Sequence, residues 1–271
     1  MRNITLFAVV LLIISCKNSN NTNKKAKPLL HELTNDSLRF ENELINALDI
    51  ARNNIKANEF KKIIKTDSIN FPEYVTEISI GYLFSDSKRH LVIKRKMNYA
   101  AKINVYSIGD DNSFKQIKYL DCAYLTYVDD SIYDINGDGF NDLSLHWQPT
   151  SGCCLANNYI VSLYDNDNDN FSVNFDFINP TFSPEEHIIR GFDYGEPKDI
   201  SLYKYKWNGF KVDTIEYISH KLNSEDTYIK SKKLLLNVTE KDGVLIKQIP
   251  IEYQNINDFD WFIGKRKTIK N

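Results

Sequence analysis

Beyond Pro72 apolar and polar residues alternate with a period of two, as around Val75, Leu91, Ile93, Ile103, Val105, Leu143, Leu145 and Trp147. That period sends successive side chains to opposite faces, so these stretches are expected to be half-buried β-strands. Further short strands are expected at 159–164, 188–192, 202–207, 210–218, 234–238 and 244–251, broken by Asp, Asn and Gly, with no helix-length periodic segment between them. Strands joined by turns this short must pair antiparallel. The chain is therefore read as mainly β, an antiparallel strand-hairpin domain over 67–271. One hairpin shape recurs, an aromatic strand end, an Asx-rich turn and a returning Phe: Tyr106 to Phe114, Tyr164 to Phe171, and Trp207 to Phe210. Its spacing is irregular. A small β-propeller-like domain and a plain sandwich or meander both account for it.

Residues 29–66 read differently. Leu38, Leu44, Ile45, Leu48, Ala51 and Ile55 recur at three- and four-residue steps, the mark of an amphipathic helix. One helix, or two with a break near 53–58 before Phe60, Ile63 and Ile64, fits this segment. The 271-residue chain carries 34 basic and 36 acidic side chains. That balance gives no electrostatic footprint for nucleic acid.

The N-terminus carries an address. Arg2 precedes an apolar run over 4–14 that is too short to span a bilayer and matches a secretory signal. Its close, Ile13, Ile14, Ser15 and Cys16, resembles the lipobox of bacterial lipoproteins. The resemblance implies removal of residues 1–15 and lipid on Cys16, with enough acyl chains for stable membrane anchoring. A plain secreted protein cleaved near Ser15 is the alternative. Residues 16–28 are polar and read as a flexible tether. The tether has no acidic residue after the cysteine, which by the same resemblance implies an outer-membrane lipoprotein facing the periplasm.

The sharpest local motif spans 134–142. Asp134, Asn136, Asp138 and Asp142 stand at positions one, three, five and nine, Gly139 at position six, and the Phe140 carbonyl falls at position seven. Oxygen ligands so spaced suit Ca²⁺. Position twelve is Leu145 where an EF-hand requires Glu, and a strand comes next, so the pattern argues against an EF-hand proper. An Asx-turn network without metal is the alternative. Residues 134–143 resemble the calcium loops of FG-GAP and VCBS-type β-propeller repeats at every defined position. A second acidic turn, Asp165, Asp167 and Asp169, lacks the glycine and reads as a solvated hairpin tip.

A longer resemblance runs from this loop through Ser151, Gly152, Cys153, Cys154, Tyr159, Phe171, Asn179 and Pro180 to Tyr205, Trp207, Asn208 and Gly209. It is to lipoproteins that include the immunity protein of a lysozyme-like type IV secretion effector. The resemblance implies a periplasmic protein that inhibits a peptidoglycan hydrolase by placing a loop in its cleft. The expected contact loops are 151–158 and 165–170, with Ser151, Gly152 and Tyr159 as contact residues. Cys154 stands where some lysozyme inhibitors carry Tyr.

Beside Cys16 the chain has Cys122, Cys153 and Cys154. A Cys122 bridge to one of the pair is favoured here over an adjacent Cys153–Cys154 ring, which strains the intervening peptide. Zinc lacks the usual ligand spacing, with His146 the one nearby imidazole. His31, His90, His146, His187 and His220 fall in no nucleophile or metal motif, and 183–187 reads as a turn or helix start. Three functions are compatible with these features: a lipoprotein inhibitor of a lysozyme-like hydrolase, a calcium-stabilised β-domain binding carbohydrate or another envelope component, and an enzyme, which no motif supports.

Overall fold

A computed structural model describes residues 26–68, 71–97, 100–123, 126–224 and 226–265. The chain forms two compact units, Met1–Asn42 and Glu43–Asn271. The apolar leader and Cys16 lie outside the described residues. Helix α1 (Ala26–Asn53) opens inside the segment read as tether, because Ala and Lys are good helix formers and Pro is tolerated in a first turn. The N-terminal part of this helix belongs to the first unit, and its C-terminal part and all the strands belong to the second.

The helix does not extend to residue 66. It stops at Asn53, with a turn after it in which the Asn54 side chain donates to the Ile50 carbonyl at 2.8 Å. Residues Phe60–Ser68 are strand β1. Phe60, Ile63 and Ile64 imitate helical spacing, yet they sit on an edge strand where Ile63 is exposed and Ile64 packs inward. Pairing with β2 (Phe71–Gly81), in the register Phe60↔Ile80 to Thr66↔Tyr74, overrides the local preference.

Three antiparallel sheets are arranged in chain order. The first is a meander of β1, β2, β3 (His90–Met97), β4 (Ala100–Ile108) and β5 (Phe114–Ala123). The second has β6 (Thr126–Tyr133), β7 (Asp142–Gln148), β8 (Asn158–Ser162) and β11 (Phe175–Ile178) in the order β11-β8-β7-β6. A two-stranded ribbon of β9 (Tyr164–Asp165) and β10 (Asn170–Phe171) interrupts it in sequence. The third is a meander of β12 (Pro180–Ser183), β13 (Ile188–Phe192), β14 (Ser201–Trp207), β15 (Val212–His220), β16 (Tyr228–Ser231) and β17 (Val244–Ile246). The three recurrent aromatic turns are real hairpins: β4 to β5, β9 to β10 and β14 to β15. Among the described residues the sheets close into neither a barrel nor a propeller ring.

Period two explains the layering. In β3, Leu91 and Ile93 face Ala47 and Ala51 of α1, while Val92 faces the other way, toward Leu143 and Leu145 of β7. The second sheet in turn places Val161 and Phe177 against Ile189, Tyr203 and Trp207 of the third. The third sheet's far face, Leu202 and Ile218, is covered by Tyr253 and Phe262 from two four-residue helices, α2 (Ile251–Gln254) and α3 (Phe259–Phe262). Each of the three sheets thus has core residues on both faces, while strands β6 and β17 stay largely exposed. Residues 247–251 and 234–238, expected as strand, lie outside the sheets, and β15 begins at Val212 rather than at 210.

The turn at 165–170 is not a free, solvated tip. Asp169 accepts hydrogen bonds from Ser107 and from Tyr164 Oη, and His90 Nε2 lies 3.2 Å from that hydroxyl and 3.6 Å from the carboxylate. His90 is fully buried, and desolvation outweighs Asp169 to lower its pKa from 6.5 to about 4. An unfolded chain takes up this proton near 6.5 and the fold only near 4, so the associated stability is present above 6.5 and is lost as pH falls toward 4. The loss is expected to reach on the order of 3 kcal/mol. Thermal melts of the parent and His90→Gln across this window check it, and equal pH slopes in the two would refute it.

Candidate functional site

Residues 134–142 join β6 to β7, and short polar side chains with two glycines wrap the loop around its own amides. Asp134 Oδ1 accepts from Gly137 N at 2.6 Å and Asp138 N at 3.2 Å, and its Oδ2 accepts from Gly139 N at 2.9 Å. Asn136 Oδ1 accepts from Asp138 N at 3.0 Å, Asn136 Nδ2 donates to Asp138 Oδ2 at 2.9 Å, and Asp138 Oδ1 accepts from Phe140 N at 2.9 Å. Gly137 and Gly139 take φ of +81° and +90°, where a side chain would be strained. These are the hydrogen bonds of an Asx-turn network.

Asp142 has a different environment. It is fully buried, with Oδ2 accepting from Ile135 N at 3.0 Å and Oδ1 from Tyr164 N at 2.8 Å. Burial pushes its pKa up to about 7, aided by the charges of Asp138 and Asp134 and opposed by the two amides. Both of its oxygens already serve the backbone.

The loop also ties the sheets together. Asn141 donates through Nδ2 to the Leu83 carbonyl at 2.9 Å and through its amide to the Phe84 carbonyl at 3.1 Å, both in the connection between β2 and β3. On the other side His187 Nδ1 donates to the Asn136 carbonyl at 2.6 Å. A Cβ on Gly137 would meet Pro184 O at 2.2 Å. His187, which falls in no motif, thus holds the loop against the third sheet.

As a donor set Asp134, Asn136, Asp138, Asp142 and the Phe140 carbonyl have the hard-oxygen chemistry that Ca²⁺ takes. Among the described residues, however, the one group of three His, Cys, Asp or Glu ligand atoms within 4.8 Å of one another is Cys153, Cys154 and Glu196. The carboxylates of Asp134, Asp138 and Asp142 are not so gathered. Asp138 is exposed and Asp134 half-buried, so both are open to a cation from solvent.

The disulfide differs from expectation. Cys153 bonds Cys154, and Cys122 is a free thiol buried in β5 among Val92, Leu120 and Leu145. The 149–157 loop, exposed over 149–153, holds its two cysteines apart from that core, so proximity along the chain decides the pairing. Burial raises the Cys122 pKa to about 11, which leaves it little thiolate character. The oxidised sulfurs likewise lack the thiolate charge that would make Cys153, Cys154 and Glu196 a metal site.

Ser151 and Gly152 are exposed in this loop. Tyr194, half exposed in the β13–β14 connection, sits over Gly152 with its hydroxyl 3.7 Å from Cys153 Sγ. Asn179 secures the far arm, accepting from Asn157 N at 2.9 Å and donating to Leu155 O at 3.1 Å. Tyr159 is not on the loop surface. It lies near the start of β8, stacks on His146 at 4.4 Å and meets the edge of Phe182 at 6.0 Å, lining a cavity of about 300 Å³ with Asn157, Asn179 and Asp258.

The register of β7 with β8, Leu143↔Ser162 at one end and Trp147↔Asn158 at the other, fixes where the two expected contact loops lie. The 149–157 loop leaves one end, and the 165–170 turn lies at the other beside the acidic loop, about 15 Å away along the strands. Tyr194 and Glu196 lie beside the 149–157 loop, and nothing in their own sequence marks them, because they come from the connection between β13 and β14. The chain matches no family model, no curated protein and no solved structure.

Proposed function

We propose that this chain is a lipid-anchored, periplasm-facing protein of the outer membrane that binds and inhibits a lysozyme-like cell-wall hydrolase, acting as a binding protein and not as an enzyme. The observation that carries this reading is the exposed Ser151 and Gly152 on a loop whose next two residues are joined by a disulfide, seated against Tyr194. A disulfide between neighbours closes almost no chain loop, so it adds little to global stability. What it does is narrow the conformations of Ser151 to Cys154, and a loop ordered before binding loses less entropy when it enters a cleft. Exposed tyrosine supplies the apolar anchor that such contacts use.

The scaffold in this reading is propeller-like. What supports it is that the three sheets share cores in chain order, with Ala47 and Ala51 of α1 packed on the first sheet and Tyr253 and Phe262 of α2 and α3 on the third. The acidic loop is bonded to connections of the first and third sheets, and we propose one Ca²⁺ held there by Asp134, Asn136, Asp138, the Phe140 carbonyl and Asp142.

In a muramidase lysis assay the full chain is expected to inhibit, and Gly152→Trp with Tyr194→Ala to weaken inhibition at least about 100-fold, in line with loss of hot-spot contacts. Unchanged inhibition by that variant, or none by the parent, refutes the reading. A second reading, a calcium-stabilised β-domain that binds carbohydrate, rests on the cavity beside the His146–Tyr159 stack, whose amides and carboxylate suit hydroxyl groups. Saturable binding of peptidoglycan fragments, lost in Asn157→Ala but not in Tyr194→Ala, would favour it.

A further inference from the structure

The run Lys232, Lys233, Leu234, Leu235, Leu236 looks like strand but is looped out between β16 and β17. The place beside β16 is already filled by β17, in the register Tyr228↔Ile246 to Lys230↔Val244. Leu236 is 80% exposed and Leu234 50%, and Val244 on the edge strand β17 is 65% exposed. The loop is nonetheless well tied. Leu222 N donates to Val238 O at 2.9 Å, Ser231 Oγ to Lys233 O at 2.6 Å, and Asp242 accepts from Thr239 N at 2.7 Å and Thr239 Oγ1 at 2.8 Å. Asn237 takes a left-handed φ of +53° at the bend.

Ordered hydrogen bonds that hold leucines in water keep apolar surface for something outside the chain. The charges nearby say what. Lys230 pairs with Glu216 and Lys221 with Glu240, and Lys241 acts on its neighbour Asp242, whereas Lys232, Lys233 and Lys247 have no acidic partner among the described residues. Protein interface cores favour Tyr, Trp, Arg and Met and are depleted in Lys. Leucine flanked by free lysine is instead the composition of segments that lie in a membrane interface.

We infer that the 232–237 loop is a second membrane contact, inserting Leu234 and Leu236 at the boundary between headgroups and acyl chains of an anionic bilayer while Lys232 and Lys233 meet lipid phosphates. The inference is independent of the hydrolase reading. It would set the domain's orientation on the surface, which an N-terminal lipid on a tether cannot do.

The test places an environment-sensitive NBD fluorophore at Leu236→Cys in the full chain carrying Cys16→Ser, with Cys122 buried and Cys153 bonded to Cys154. Vesicles of phosphatidylcholine, alone or enriched in phosphatidylglycerol, are then added. Emission is expected to rise and shift to the blue on the anionic vesicles and to change little on the neutral ones. The same label at Val173→Cys, 76% exposed elsewhere, stays water-like. Because the signal is local to residue 236, vesicle binding through the apolar leader does not imitate it. Lys232→Gln with Lys233→Gln is expected to lower the insertion equilibrium roughly 25-fold, about fivefold for each lysine near an anionic surface. Water-like emission at 236 on anionic vesicles overturns the inference, as does an equal shift on both vesicle types. A shift that grows with protein concentration in the absence of lipid overturns it too, assigning the leucines to a protein contact.

Discussion

Asp142→Ala is expected to lower the unfolding free energy by about 3–5 kcal/mol, the largest single effect of any side chain in the acidic loop. The carboxylate is fully buried and is the acceptor for two backbone amides, Ile135 N and Tyr164 N. Truncation leaves both donors without a partner in the interior, and each such group costs about 1–3 kcal/mol. The two amides belong to different segments, one opening the loop and one opening β9, so the loss also loosens the second sheet where it meets the ribbon. For a unit of this size the midpoint should fall by roughly 10 °C. Asp142→Asn, which keeps a carbonyl oxygen but faces one amide with its own NH₂, should lie about midway. Urea unfolding of the three proteins settles the order. A shift for Asp142→Ala of less than about 1 kcal/mol would mean that water replaces the carboxylate and that the loop does not act as a junction between sheets.

The reach and the failure of sequence reading depend on the kind of contact behind each feature. Leu91, Val92 and Ile93 announce their alternation locally, and the fold uses it, with one side toward α1 and the other toward β7. The loop at 134–142 was legible for the same reason, since Asp134 and Asn136 bond amides two to five residues away. Ile63 and Ile64 misled because so short an apolar run satisfies helical and strand patterns alike, and the pairing to Thr76 and Glu77 that decides it is distant in sequence. Leu234 to Leu236 misled by composition: a continuous apolar run reads as a strand until β17 is found in its place. The docking of His187 on Asn136, 51 residues apart, left no local trace at all. The disulfide turned on burial, because Cys122 lies in a core that the exposed loop does not enter.

Calcium binding and loop stability should separate at Asp138. Its side chain is exposed, and its contacts are an Asx turn to Phe140 N and a bond from Asn136 Nδ2. Losing such surface contacts changes stability by about 0.5 kcal/mol. If Ca²⁺ is held by the oxygens of 134–142, Asp138 is the ligand most accessible to it, and removing one charged ligand from a site of six to eight weakens binding severely. Calorimetric titration of the full chain with calcium should therefore give single-site heat in the parent and none in Asp138→Ala, with the metal-free midpoints of the two within about 2 °C. Saturating calcium should raise the parent's midpoint and leave that of Asp138→Ala in place, because a ligand stabilises only the state that binds it. Gly137→Ala provides the opposite case. Its Cβ would press on the Pro184 carbonyl at 2.2 Å from a left-handed backbone, so it should lower the midpoint even without metal. Absence of heat in the parent would remove calcium from the proposal and leave Asp134, Asn136 and Asp138 as an Asx network whose work is to hold three sheets at one junction.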